Sequence, residues 1–102
     1  MTQTEVTMVR VYCTEKGGQH RKIIDLLHQQ HRVAGVTAFR GITGFGRSGQ
    51  IHEAGLLDVS LDLPVIVEFF DRPKKIADVL PLIHEIVGPG HLVAWPAQAN
   101  LD

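Results

Sequence analysis

The sequence predicts an α+β domain in which one four-stranded antiparallel sheet carries two helices on a single face. Two observations establish the pieces. Runs rich in β-branched and aromatic residues recur at 5–13, 36–43, 63–70 and 91–95. Apolar residues at helical spacing fill the stretches after the first and third of these runs. A third observation is the order, β-α-β-long loop-β-α-β, which is the split βαβ or ferredoxin-like βαββαβ pattern. At 102 residues the chain is a single domain, 1–102.

The elements follow in turn. In the first strand Val9, Val11 and Cys13 point to one side, and Met8, Arg10 and Tyr12 to the other. Gly17-Gly18 breaks the chain, and 19–33 places Ile23, Ile24, Leu27 and His31 on a helical stripe that ends at Gly35. In the second strand Val36, Ala38, Arg40 and Ile42 share a side. In the third, Val65, Val67 and Phe69 oppose Ile66, Glu68 and Phe70. Asp71 reads as the N-cap of a second helix, with Pro73 in its first turn. That helix carries Ile76, Val79, Leu80, Ile83 and Val87 at i, i+3, i+4, i+7 spacing. Pro81 within it should bend the helix near Ala77 or split it. Gly88-Pro89-Gly90 stops it, and the short last strand ends before Pro96, leaving 97–102 as a loose tail.

Charge narrows the function classes. Ten Lys+Arg against eleven Asp+Glu give a net of -1. No global field draws this chain to nucleic acid or an anionic membrane, so anion binding would need a local cluster. The apolar runs fall far short of the roughly 20 residues that span a bilayer. No secretory signal is visible, and the single cysteine cannot form an intramolecular disulfide. A cytoplasmic protein without a nucleic-acid partner fits these features.

The sheet face away from the helices is expected to need a partner. The face holding Arg10, Arg40 and Glu68 also holds Met8, Tyr12, Ile66 and Phe70, too apolar a set for water. If the third strand lies between the first and second, Glu68 sits between Arg10 and Arg40, a charged network suited to an oligomer interface. Arg10, Tyr12, Arg40, Glu68 and Phe70 are therefore the expected interface residues of a homo-oligomer.

The glycine-rich segment 39–52, F-R-G-I-T-G-F-G-R-S-G-Q-I-H, is the expected ligand site. Glycines admit backbone N–H groups to an anion, Arg47 can fork onto a phosphate or carboxylate, and Ser48 adds a hydroxyl. Residues 44–49 also match G-x-G-x-x-G, but the strand before them contains Thr37 and Arg40 where a dinucleotide fold wants continuous apolar residues. The chain is also short for the paired halves of such a fold. The alternative is a mobile loop with a solvated arginine that orders on a partner protein. The six histidines show no H-x-x-x-H or H-E-x-x-H spacing, and no paired-carboxylate or Ser/His/Asp constellation marks an enzyme. His52 and His91 flank glycine-rich turns and are the histidines best placed for a ligand. Trp95 reads as core or interface.

These residues bring a family to view. R-G-I-T-G-F-G at 40–46, I-H at 51–52, D-L-P-V at 62–65 and L-P at 80–81 resemble the domain of unknown function 190 family, a group similar to the PII signalling proteins. The resemblance runs from the first strand through His91. It implies a homotrimer whose sheets pack inward, with ligands in clefts between subunits. It also implies that the loop between the second and third strands, about 44–62, is flexible and reaches a regulated partner protein, a membrane transporter among the candidates. The turn after the second helix would help hold phosphates. Here that turn is G-P-G-H, without the lysine of PII proteins, so the PII grip on ATP does not carry over directly.

The expected ligand residues are thus Gly44, Gly46, Arg47, Ser48, His52, Gly88, Gly90 and His91, with a small anionic effector such as a nucleotide. The expected role is a trimeric regulatory protein rather than an enzyme. The rival is a metal-binding or small enzymatic trimer using His52 and Glu53.

Overall fold

A computed structural model describes residues 2–46, 48–53 and 62–101. Strand β1 runs Thr4–Thr14, helix α1 Gln19–Asp25, and a π-helical turn Leu26–His31 continues α1. Strand β2 is Gly35–Arg40, the short strands β3 and β4 are Thr43–Gly44 and His52–Glu53, and β5 is Pro64–Asp71. Helix α2 is Pro73–Val87 and β6 is Leu92–Ala99. The main sheet has the order β2-β5-β1-β6, with all neighbours antiparallel, and β3 pairs with β4 as a separate ribbon. This is the expected ferredoxin-like arrangement.

The core lies between the sheet and its helices. Val9, Val11, Cys13, Val67 and Phe69 from the strands meet Ile23, Leu27, Ile76, Val79 and Ile83 from the helices. All of these but Cys13 and Ile76 have no exposure at all. Alternation of period two on the strands and the 3.6 period on α2 select these side chains.

Several details depart from the sequence expectations. Arg40 does not join Arg10 and Glu68. The register pairs Thr37 with Glu68 and Arg40 with Val65, so Arg40 shares the helix-side face with the buried Val65 and Val67. Directly opposed residues point to one side, and a one-residue difference in parity exchanges the faces of a strand. Phe39, opposite Ile66, takes the place expected for Arg40 on the open face. Asp71 is the last residue of β5, and Arg72 holds the N-cap position of α2 without a side-chain cap. The Asp71 carboxylate instead accepts from the Ala34 N–H at 2.9 Å and from the Arg72 N–H at 2.6 Å. It anchors the α1–β2 connection.

Helix α2 passes through Pro81 as one element. Strand β6 also continues through Pro96 to Ala99, so residues 97–99 belong to the sheet rather than to a tail. β6 is an edge strand, where proline's missing N–H is tolerated. The first helix ends in the π turn, closed by Arg32 in the left-handed region at φ 46.

Candidate functional site

The two glycine-rich segments converge on one end of the sheet. Pairing of Thr14 with Pro64, Arg40 with Val65 and Val11 with Leu92 brings four strand termini together there. They are the C-terminal ends of β1 and β2 and the N-terminal ends of β5 and β6. The root of the long loop sits at the β2–β5 side of this end, and the turn at 88–91 sits at the β6 side. Three strand spacings separate β2 from β6, about 14 Å, with β5 and β1 between them.

The loop root is built around Pro64. The Gly41 N–H donates to the Pro64 carbonyl at 2.7 Å. A Cβ at Gly41 would lie 3.2 Å from Pro64 Cβ, and one at Gly44 would lie 3.2 Å from Pro64 Cγ. The R-G-I-T-G and D-L-P segments, distant in sequence, are thus one packed unit, and Gly44 is glycine because Pro64 needs the space. Beyond it, β3 and β4 pair Thr43 with Glu53 and Gly44 with His52.

The end of β1 clasps both arms of this loop. Glu15 holds the Arg40 guanidinium through its carboxylate, and the Glu15 N–H donates to the Leu63 carbonyl at 2.9 Å. The Lys16 N–H donates to Asp62 Oδ1, also at 2.9 Å. Sequence reasoning missed Glu15. Its only signal is a carboxylate directly after a strand that ends beside an arginine-bearing strand.

Further out, the Gly49 N–H donates to the Gly46 carbonyl at 3.0 Å, and Gly49 is left-handed at φ 77. The Ser48 hydroxyl accepts from the Gln50 N–H at 3.3 Å. Neither a packing neighbour nor a positive φ requires glycine at Gly46. Arg47 and the side chains of His52 and Glu53, named above as ligand or metal candidates, lie outside the described residues.

At the opposite side, Gly88 and Gly90 adopt φ 75 and 88, backbone that L side chains adopt only with strain. The Gly88 N–H closes α2 on the His84 carbonyl at 2.7 Å. His91 fastens the turn to β1. Its carbonyl accepts from the Tyr12 N–H at 2.8 Å, and its Nδ1 lies 3.2 Å from the Tyr12 carbonyl. A carbonyl only accepts, so in this contact Nδ1 is the donor, and Nε2 faces away from it.

The open sheet face carries the remaining candidates. Arg10 Nε donates to Glu68 Oε2 at 2.9 Å, a hydrogen bond that raises the Arg10 pKa above its usual value. The Arg10 guanidinium also lies 5.6 Å from the centre of the Trp95 ring, within cation–π range. Phe70 lies over Gly35, where a Cβ would come within 2.8 Å of its ring. Tyr12, Phe39, Val93 and Trp95 on this face are 41%, 40%, 51% and 37% exposed. Among the described residues no group of three His, Cys, Asp or Glu side chains is placed to hold a metal, and no helix is long and apolar enough to cross a membrane.

Comparison with known proteins matches this architecture. Over most of its length, the chain superposes on CPII from Thiomonas intermedia K12, described with ADP and bicarbonate bound. The match has a TM-score of 0.72 and 16% identity, covering 96% of this chain and 91% of that one. It superposes also on a PII-like signalling protein from Thermus thermophilus, with a TM-score of 0.63 and 12% identity, covering 97% and 91%. At these identities the likeness is one of fold. A UPF0166 protein of Methanocaldococcus jannaschii is 31% identical over 74 residues, 72% of this chain and 67% of that one. A UPF0166 protein of Aquifex aeolicus is 35% identical over 48 residues, 47% of this chain and 46% of that one. The model of the domain of unknown function 190 family, described as "Uncharacterized ACR", matches residues 6–99. With PII-like structural neighbours and the sequence of that family across nearly its whole length, the chain belongs to the domain of unknown function 190 family.

Proposed function

We propose that this protein is a PII-like homotrimeric regulator. It binds a small anionic effector, a nucleotide foremost, at the end of the sheet where the loop root and the 88–91 turn converge. The observation that carries this reading is that convergence, in a fold shared with a protein described as bound to ADP and bicarbonate. Within one subunit the two segments stand about 14 Å apart, so an effector touching both kinds of segment draws them from neighbouring subunits.

The chemistry of the parts suits an anion. With the Gly88 N–H closing α2, Gly90 keeps side chains away from the turn's remaining backbone, and the His91 ring offers a polar edge to a ribose hydroxyl or a phosphate. Arg47, Gly46 and His52 extend the set from the loop. Arg40 supplies a switch, because an anion that takes the guanidinium from Glu15 loosens one of the clasps on the loop root. The loop at 44–62 would then present the bound state to a partner protein, a membrane transporter among the candidates. Binding and loop rearrangement, without bond chemistry, are all that this reading requires.

A thermal-shift series tests it, since a ligand that binds only the native state raises the apparent stability. ADP, ATP, AMP, cyclic dinucleotides, bicarbonate, simple carboxylates and divalent metals would each be added to the purified protein. A nucleotide should raise Tm, and the Gly90→Ala and Arg47→Ala variants should lose that rise. If nucleotides leave Tm unchanged while a metal raises it, and His52→Ala abolishes the metal effect, the metal-binding reading replaces this one.

A further inference from the structure

A cleft in the described structure lies away from the loop root and the 88–91 turn. It opens where the helix layer stops short of edge strand β2, and its volume is about 660 Å³, within the range of small-molecule pockets. Ile24 and Leu27 form one wall, Val36 and Ala38 of β2 the floor, and His28 and Arg32 the rim. Ala38 lies on the helix-side face opposite the buried Val67, yet it is exposed because no helical side chain covers it.

Two backbone features mark the same spot. The wall includes the start of the π turn Leu26–His31, a rare local geometry that concentrates at functional sites. The rim residue Arg32 is the one non-glycine residue with positive φ among the described residues, at φ 46. Strain of this kind persists only where the surroundings over-determine it, and here they do. Lys75 Nζ donates to the Arg32 carbonyl at 2.9 Å, the Val33 N–H donates to the Leu27 carbonyl at 3.3 Å, and Asp71 receives the Ala34 N–H. With the backbone so held, the Arg32 guanidinium has no hydrogen bond or ion pair among the described residues. Among the described residues no carboxylate lines the cleft, so its rim is cationic and its interior apolar.

We propose that this cleft is a second ligand site, for a small organic carboxylate with an aliphatic or aromatic body. The carboxylate would sit on the Arg32 fork, with His28 beside it, and the apolar body would fill the space over Val36 and Ala38. Guanidinium and carboxylate match in a bidentate geometry, and burial of the body supplies affinity that acetate cannot. The site is independent of the effector region described above, from which it differs in residues and in chemistry.

Arg32→Gly separates binding from folding. Glycine accepts the left-handed backbone freely, so this variant should keep or raise Tm while losing the guanidinium. Isothermal titration with octanoate and with 3-phenylpropanoate, using acetate and 1-octanol as controls, reads the site. The expectation is saturable binding of at least one of the two probes and none of acetate. Arg32→Gly should weaken it at least tenfold, and Ala38→Leu, which fills the floor, should abolish it. Neither substitution should change the Tm rise that a nucleotide gives. Absence of saturable binding by both probes overturns the proposal. So does binding that survives Arg32→Gly, or 1-octanol binding as tightly as octanoate.

Discussion

Pro64 Cγ determines what position 44 can be. A Cβ added at Gly44 meets that atom at 3.2 Å but stands 3.9 Å from Pro64 Cβ, so the crowding comes from Cγ, an atom that alanine at 64 lacks. Gly44→Ala should therefore destabilise the protein by about 1 kcal/mol, a cost that shrinks in a Pro64→Ala background. A double-mutant cycle by urea denaturation would show a coupling of about 0.5 kcal/mol or more, whereas additive costs would mean that the two residues do not share one packed unit. Cys13 is the other residue with a defined physical consequence. Burial pushes its thiol up from 9.0 to about 11, leaving about one thiol in a thousand ionised at pH 8. A thiol-reactive disulfide should label the native protein far more slowly than the urea-unfolded chain. The linkage has a definite sign. A folded-state pKa above the unfolded value gives stability that is full below pH 9 and lost as pH rises towards 11. Relative to Cys13→Ala, the native protein should lose stability across that window, and parallel pH curves for the two would contradict the burial argument.

At the scale of elements, α2 carries a cost that its sequence declares. Pro81 removes the bond to the Ala77 carbonyl and crowds it, a penalty of about 3 kcal/mol in a helix interior. Pro81 is exposed, so Pro81→Ala restores the bond without disturbing the core. Less the roughly 1 kcal/mol by which proline restrains the unfolded chain, the variant should be more stable by about 2 kcal/mol in chemical denaturation. An unchanged or lowered midpoint would mean that the helix has already absorbed the proline without loss. The helix was legible in the sequence because Ile76, Val79, Ile83 and Val87 are all buried at its period. β5 was legible for the same reason, since it alternates between a buried face and a half-covered one, as β1 does from Val9 to Cys13 with Tyr12 on the more open side. β2 was not. It is an edge strand with four exposed residues in six, so its pattern left the parity of Arg40 open. Contacts between distant segments fix its register, namely Gly41 on the Pro64 carbonyl and Gly35 beneath the Phe70 ring. The clasp of Glu15 on Arg40 depends on that register and was hidden with it. The glycine-rich character of the candidate site could be read directly, but which glycines serve packing and which are free for a ligand could not, because Pro64 is twenty residues from Gly44.

For the whole molecule, the open sheet face sets the last prediction. Tyr12, Phe39, Val93 and Trp95 are each more than a third exposed on a face that also bears the Arg10–Glu68 pair, whose side chains are 41% and 25% exposed. In an isolated chain such a pair is wetted and contributes little to stability. If three copies pack these faces inward, the same pair loses its water. Removing one partner would then strand a buried charge, which is far costlier than losing one partner of a wetted pair. Glu68→Gln therefore measures assembly through its own energetics. Sedimentation should find the native protein as a trimer, and Trp95→Glu, which puts a charge on this face beside Arg10, should yield monomers that keep the native circular dichroism spectrum. In the native background Glu68→Gln should weaken the trimer strongly, leaving Arg10 unpaired at the interface. In the Trp95→Glu monomer the same substitution should leave the urea unfolding midpoint nearly unchanged. A Glu68→Gln effect of equal size in both backgrounds would place the pair in water in both, and the sheet face would then not be where the subunits meet.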